Sequence, residues 1–233
     1  MRVLAVGAHP DDIETFCAGT LVKCAKRGDE VFMAYLCKGD KGHFKIPPKK
    51  LSQIRKKEAE NAAKIIGAKV LGGYFPDLEL YANQEARHKV VELIRLAQPD
   101  MIITHFPDDY MADHNTTSCL VVDASFTATV PYYKSNQRAT KSIPPVFFMD
   151  TGAGINFQPT EYVDITEEMR IKERMLDCHQ SQYKWLKEHN HIDLVEFMKK
   201  LASLRGVQCG VKYAEGFRQY AVWGRIKTTR LLP

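Results

Sequence analysis

The sequence predicts an α/β protein with a Rossmann-like, mostly parallel sheet and helices on both faces, a three-layer α/β/α arrangement. Two observations carry that prediction. Short apolar runs alternate with longer amphipathic ones through the first two-thirds of the chain, the rhythm of strands joined by crossover helices. The first of these runs, "RVLAVGA", is continuously apolar after Arg2, as a strand covered on both faces is. Right-handed crossovers then line up the loops that follow each strand along one sheet edge. Ligands bind at that edge, near the point where strand order reverses.

The elements follow in order. "RVLAVGA" reads as a first strand, "GTLVKCAKRG" as a helix stopping at Gly28, and "EVFMAYLC" as a second strand. "SQIRKKEAENAAKIIGA" reads as a helix with Ser52 as its N-cap and Gly67 as its C-terminal stop. "KVLGGY" is a short third strand, "NQEARHKVVELIRLAQP" a helix ended by Pro99, and "DMIITH" a fourth strand. After a polar loop, "DHNTTSCLVVDASFTAT" has helical character and "PPVFFMDT" reads as a fifth strand. The last third is less regular. A long amphipathic helix is expected from Asp164 or Thr166 through "CHQSQY", another over "HIDLVEFMKKLASLRG", and a closing strand at "QYAVWGRI". No Gly-, Pro- or Ser-rich linker interrupts the 233 residues, so one domain, 1–233, is expected.

Composition excludes several classes. Apolar residues make up 45% and charged residues 26%, the usage of a globular protein with a substantial core. The net charge of +5 comes from spread basic residues, which argues against a nucleic-acid surface. The densest run, "KIPPKK" followed by "RKKE", reads as a solvated loop and helix face. No stretch nears the roughly 18 continuous apolar residues of a membrane span, and the chain opens into a strand without a signal-peptide pattern. A cytoplasmic setting is expected. The six cysteines form no CxxC pair and read as small core residues in a reducing compartment.

The chemistry-bearing residues gather at two strand ends. "VLAVGAHPDDIE" places His9, Asp11 and Asp12 at the mouth of the first strand. A like-charged pair there is costly unless something positive, a metal or a substrate group, sits between them. A strand-to-helix turn can bring His9 and Asp12 to one point while Asp11 faces another way. "THFPDDYMADHNTT" follows the fourth strand with His105, Asp108, Asp109, Asp113 and His114. Both clusters fall on the same sheet edge. His9, Asp12 and His114 supply two imidazoles and a carboxylate, a set that binds a divalent metal and leaves a position open. Zinc fits these ligand types, and Asp11 is then free to act as general base. The blander alternatives are a helix-capping turn at His9–Asp11 and a surface histidine at 114. Asp113 reads as an N-cap or as a group orienting a metal ligand. Gly39 and Gly42 in "KGDKG" permit a tight loop.

"AHPDDIE" with "CAGTL" downstream, paired with "HFPDDYMADH", resembles the signature of the LmbE-like, or PIG-L, N-acetylglucosaminyl deacetylases. "LCKGDKG", "IRKKEAENAAKIIGA", "CHQSQ" and "YAEGFR" are similar to further family segments, so the likeness spans nearly the whole chain. The resemblance implies a zinc ion, one per chain, on His9, Asp12 and His114, with Asp11 as base and Arg55 as a contact to a sugar hydroxyl or an anionic aglycone. It implies hydrolysis of an N-acetyl group from an amino sugar or its conjugate. Ile13, between Asp12 and Glu14, resembles the branch that includes bacillithiol-pathway deacetylases, whose substrate is an N-acetylglucosaminyl malate. The partner implied is a small-molecule amino sugar, with no membrane or nucleic acid. "VPYYK" offers an apolar surface for a homo-oligomer.

One departure stands out. The family commonly reads His-Pro-Asp-His where this chain has Met111, Ala112, Asp113 and His114. Methionine cannot supply a proton. His105, His179 and Tyr110 are candidates to replace the missing acid, whereas His43, His88, His189 and His191 read as surface residues, with His43 in a loop that could overhang the site. Two other functions use the same residues. Two histidines and a carboxylate also hold non-haem iron in oxygenases, usually in β-sandwich settings. A metal-holding domain that has lost its acid could instead bind a sugar or a partner without turnover.

Overall fold

The order of strands in the sheet settles where the two motif loops meet. The computed structural model describes residues 1–233. Its elements are β1 (Arg2–Gly7), α1 (Asp12–Phe16), α2 (Ala18–Lys26), β2 (Glu30–Cys37), α3 (Pro48–Lys64) and β3 (Lys69–Phe75). There follow α4 (Gln84–Ala97), β4 (Met101–Thr104), α5 (Ala112–Thr127), β5 (Val146–Met149) and β6 (Glu161–Asp164). The chain ends with α6 (Met169–Leu176), α7 (Gln180–His189), α8 (Leu194–Cys209) and β7 (Ala214–Gln219). The strands form one seven-stranded sheet in the order β3-β2-β1-β4-β5-β7-β6. β1 to β5 pair in parallel, and β7 runs antiparallel to both β5 and β6. The chain moves outward from β1 to β3 and then returns to β1's other side with β4. The β1/β4 boundary is therefore the switch point where such sheets open a crevice.

Alternation along each strand divides the core between the two faces. Val3, Ala5, Val31 and Met33 pack with residues of α2, α3, α6 and α8. Leu4, Val6, Phe32 and Ala34 pack with α4 and α5. Leu4 and Ile102 are fully buried, and truncating such a side chain to alanine costs about 2–5 kcal/mol. The predicted three-layer α/β class is the one observed.

Several boundaries differ from the sequence reading. α3 begins at Pro48, with Pro47 as its N-cap, so Ser52 lies inside it. Proline's fixed φ and missing N–H suit the first helical position. Gly67 adopts φ +69 beyond two further turn residues. The helix read from Gly19 is preceded by a separate short one, α1, with the break at Cys17. α5 is capped at Met111 rather than Asp113, which leaves the Asp113 carboxylate for other partners. The long helix read from Asp164 or Thr166 divides into α6 and α7, and a strand, β6, ends at Asp164 just before it. The closing strand lies at Ala214–Gln219 instead of residues 219–226. Its signal was masked by Glu215, a buried charge inside the strand that pairs with Lys172 at 2.5 Å and accepts from the Gly19 and Thr20 amides. The strand-like "AVW" beyond it is solvent-facing, with Trp223 89% exposed. Cys17, Cys24 and Cys37 are buried as expected, Cys119 and Cys209 are exposed, and none forms a disulfide. No helix is long and apolar enough to cross a membrane.

Candidate active site

The turn after β1 is wound tightly because its side chains close it. The His9 amide donates to Asp12 Oδ2 at 2.6 Å, and the Asp12 amide donates to the His9 carbonyl at 3.2 Å. A Cβ at Gly7 would sit 3.0 Å from Asp12 Cβ, so a side chain there would push the start of α1 back by a few tenths of an ångström. β4 lies beside β1, and the loop after it delivers His114 on the first turn of α5. One ligating atom from each of His9, Asp12 and His114 lies within 4.8 Å of the others. Sequence reasoning brought these three together, and the fold does so.

Each imidazole has one nitrogen toward Asp12 and the other toward a second carboxylate. His9 Nδ1 lies 3.7 Å from Asp12 Oδ2, while its Nε2 lies 3.1 Å from Asp113 Oδ2. His114 Nε2 lies 3.4 Å from Asp12 Oδ1, while its Nδ1 lies 3.3 Å from Asp109 Oδ2. The second contact is an ion-pair approach rather than an aligned hydrogen bond. Metal-binding histidines carry such an outer carboxylate, which fixes the tautomer and the ring plane. Asp113 was expected in this role; Asp109 is a second member that the sequence did not single out. Asp113 also accepts from the Leu78 amide at 2.8 Å, tying the loop after β3 to α5.

The electrostatics follow from burying this cluster. Burial disfavours the charged form of His9, but Asp113 and Asp12 outweigh it and push the imidazole up to about 10. His114 behaves alike: burial opposes, Asp12 and Asp109 prevail, and it rises to about 9. Burial would raise Asp12, yet His114 and His105 hold it well below the usual carboxylate range. Without a metal, two imidazolium charges thus occupy the place a divalent cation would fill. The donor types, their separation and the outer carboxylates all fit such a cation.

Asp11 is set apart by its backbone. Its φ of 119° and ψ of −20° are unusual for a residue with a side chain, a conformation costing about 1–3 kcal/mol that persists only where neighbours enforce it. Thr15 bonds the Asp11 carbonyl through both its amide and its hydroxyl, each at 2.9 Å. Arg55 donates to Asp11 Oδ1 at 2.5 Å and to the Pro10 carbonyl. Burial raises the Asp11 carboxyl to about 6, with Arg55 restraining the rise. Arg55 is itself clamped: Gly39, at φ +69, lies where a Cβ would meet Arg55 Cδ at 2.6 Å. Asp77, unnoticed in the sequence, accepts from the Gly39 and Lys41 amides at 2.7 and 3.1 Å and holds that loop over the site.

These residues floor a cavity of about 760 Å³. His9, Asp11, Asp12, Arg55, Asp77, Asp109, Tyr110, Met111 and His114 line it. Of the candidates to replace the missing acid, Tyr110 alone reaches the cavity. His105 is fully buried behind it, accepts from the Ala8 amide at 3.0 Å, and stacks on His114 with centroids 3.9 Å apart. Burial and His114 push it down to about 4. His179 is also fully buried, 3.2 Å from Glu14 Oε1, which in turn accepts from the Tyr35 hydroxyl. His43 does not line the cavity, whereas His189, read as a plain surface residue, does.

Comparison with known proteins relates the chain to one family, to proteins of known activity and to solved structures. A family profile described as "PIG-L: GlcNAc-PI de-N-acetylase" matches residues 4–125. A diacetylchitobiose deacetylase of Thermococcus kodakarensis is 27% identical over 226 residues, covering 93% of this chain and 82% of that one. A 4-oxalmesaconate hydratase of Pseudomonas putida is 25% identical over 235 residues, covering 92% of this chain and 87% of that one. The solved structure of N,N′-diacetylchitobiose deacetylase from Pyrococcus horikoshii superposes with a TM-score of 0.81 at 26% identity, over 93% of this chain and 82% of that one.

Proposed function

Because the chain belongs to the GlcNAc-PI de-N-acetylase (PIG-L) family, we propose that it is a metal-dependent hydrolase. The reaction proposed is removal of an N-acetyl group from an N-acetylglucosamine-type amino sugar or its conjugate. The observation that carries this reading is the convergence of His9, Asp12 and His114 on one point of a cavity floor, with Asp11 beside them and turned separately. His9, Asp12 and His114 would hold the metal, zinc by ligand type, one per chain. When bound, such a cation supplies Lewis-acid charge that polarises a carbonyl and acidifies water at the site.

The residues of the chain then divide the work. Asp11, raised to about 6, is close enough to neutrality to take a proton from attacking water and hand it on to the departing amine. Arg55 keeps that carboxylate aimed and, from the cavity lining, can also meet a sugar hydroxyl. Asp113 and Asp109 hold the two imidazoles in orientation. Tyr110 lines the cavity and is protonated at neutral pH, so its hydroxyl can donate to the oxyanion of the tetrahedral stage in place of the histidine replaced by Met111. The domain boundaries proposed are those of the whole chain, 1–233.

The hydratase relative suggests a second chemistry. The family model and the Thermococcus relative are both described as deacetylating N-acetylglucosamine compounds, and the guanidinium lining the cavity, Arg55, is engaged by Asp11. The deacetylase reading is therefore preferred. Its test is acetate release from N-acetylglucosamine and its conjugates, with metal content measured alongside. Asp11→Asn should lower turnover by about 10²–10⁴-fold while metal stays bound. Metal-loaded wild-type protein that releases no acetate from any of them would favour the non-catalytic sugar-binding domain.

A further inference from the structure

A third strand end faces the cavity, and the chemistry assigned above leaves it unused. The loop after β5, residues 150–160, opens on the same sheet edge as the loops after β1 and β4. Thr151, Gly152, Ile155 and Asn156 line the cavity. Gly152 seats Tyr110: a Cβ there would lie 3.3 Å from the tyrosine ring, and that ring meets His114 edge-on with centroids 5.9 Å apart. The loop therefore borders the candidate metal ligands.

Its backbone is unfavourable and firmly held. Ala153, Gly154 and Asn156 adopt φ of 57°, 70° and 60°, in the left-handed region that residues with side chains disfavour and asparagine tolerates best. Such conformations persist where the surroundings enforce them, and they cluster at ligand sites. Here a buried guanidinium enforces them. Arg205 of α8 grips Asp150 with both arms of its fork, Nε donating to Oδ2 at 2.6 Å and Nη2 to Oδ1 at 2.9 Å. Nη2 also donates to the Phe157 carbonyl at 3.3 Å. A Cβ at Gly154 would fall 2.6 Å from Nη2, so glycine lets the guanidinium close on the loop. The Thr151 hydroxyl donates to the Ile155 carbonyl at 2.6 Å. The carbonyls on either side of Asn156 are thus both tied down, while Asn156 itself stays exposed on the cavity lining. Its amide offers two donors and an acceptor without charge, which suits the hydroxyls of a sugar ring.

Resting on the deacetylase reading, we propose that Asn156 is a specificity-determining contact to a hydroxyl of the N-acetylated sugar, and that the Asp150–Arg205 pair positions it. The amide is then presented before the sugar arrives, and binding has little left to order. A site arranged to meet a hydroxyl discriminates against an analogue that lacks it.

The test pairs variants with substrate analogues. Glycine accepts a left-handed φ at no steric cost, so Asn156→Gly removes the amide and keeps the loop. In metal-loaded protein, calorimetric titration should show N-acetylglucosamine binding about three- to tenfold more weakly to Asn156→Gly than to wild type, the effect of one neutral hydrogen bond. Among monodeoxy analogues, each lacking a single hydroxyl, wild type should bind one more weakly by that same factor. Asn156→Gly should bind that analogue and the parent sugar alike. Acetate release should repeat the pattern in kcat/KM, chiefly through KM. Arg205→Lys and Asp150→Asn each weaken the two-armed grip while filling its space. Both should lose much of the discrimination while zinc affinity stays at the wild-type value. Discrimination that is absent from wild type, or that persists in Asn156→Gly, overturns the contact. Discrimination kept in full by both Arg205→Lys and Asp150→Asn overturns the positioning role. Analogue-selective binding that depends on Asn156 but leads to no acetate release supports the contact and removes the deacetylase reading. Acetate release unaffected by Asn156→Gly does the reverse.

Discussion

Loading the metal-free protein with zinc near neutral pH should expel close to two protons per chain. A ligating imidazole must be neutral, yet in the metal-free site His9 is raised to about 10 and His114 to about 9. At about pH 7 the two protons hold the site against a cation by roughly three and two powers of ten. The apparent affinity at that pH is therefore about 10⁵ below its high-pH limit, near 7 kcal/mol at 1.36 kcal/mol per unit. Affinity should climb about a hundredfold per pH unit up to pH 8 or so, more slowly through 9 to 10, and then level off. Isothermal titration in two buffers of different ionisation enthalpy counts the protons, and a competing chelator gives the affinity across a pH series. Release of less than half a proton, with affinity flat between about pH 6 and 8, would refute the argument. It would mean that the imidazoles are already neutral or do not both bind the ion.

Three further outcomes are expected. Asp109→Asn removes the carboxylate 3.3 Å from His114 Nδ1 and should weaken metal binding by about 10–100-fold, read by chelator competition. Met111→His restores a proton donor at the cavity wall and should raise kcat, by up to about 10²-fold; a fall would show that Tyr110 already fills the role. The metal-free protein should lose stability as pH rises. A histidine whose folded pKa exceeds its unfolded value near 6.5 contributes fully below 6.5 and loses that contribution as pH passes the folded value. For His9 and His114 the loss runs from about 6.5 to about 10. Urea midpoints measured across that window should fall without metal and stay level with it.

The sequence made the strand ends legible and left the packing around them hidden. His9, Asp12 and His114 could be grouped because each follows an apolar run, and parallel topology carries such positions to one edge. Asp77 escaped notice because its role is to accept the amides of a loop 36 and 38 residues earlier, a relation with no local signature. Asp109 was seen within its cluster, but nothing in the spacing said which carboxylate would face His114. Arg55 was read as a substrate contact, and the structure pairs it with the Asp11 carboxylate. The missed strand β7 shows the same limit from the other side: a buried Glu215 reads as polar until Lys172 is known to lie against it.

The adjacency of β1 and β4 carries a consequence for how the protein is made. Asp12 and His114 are separated by about a hundred residues of chain, including both crossovers to the far side of the sheet. A ribosome-bound fragment that stops short of α5 carries His9 and Asp12 without His114, so this set of three is incomplete. Completion of that set therefore belongs to the later half of synthesis, after the central strands have zipped together.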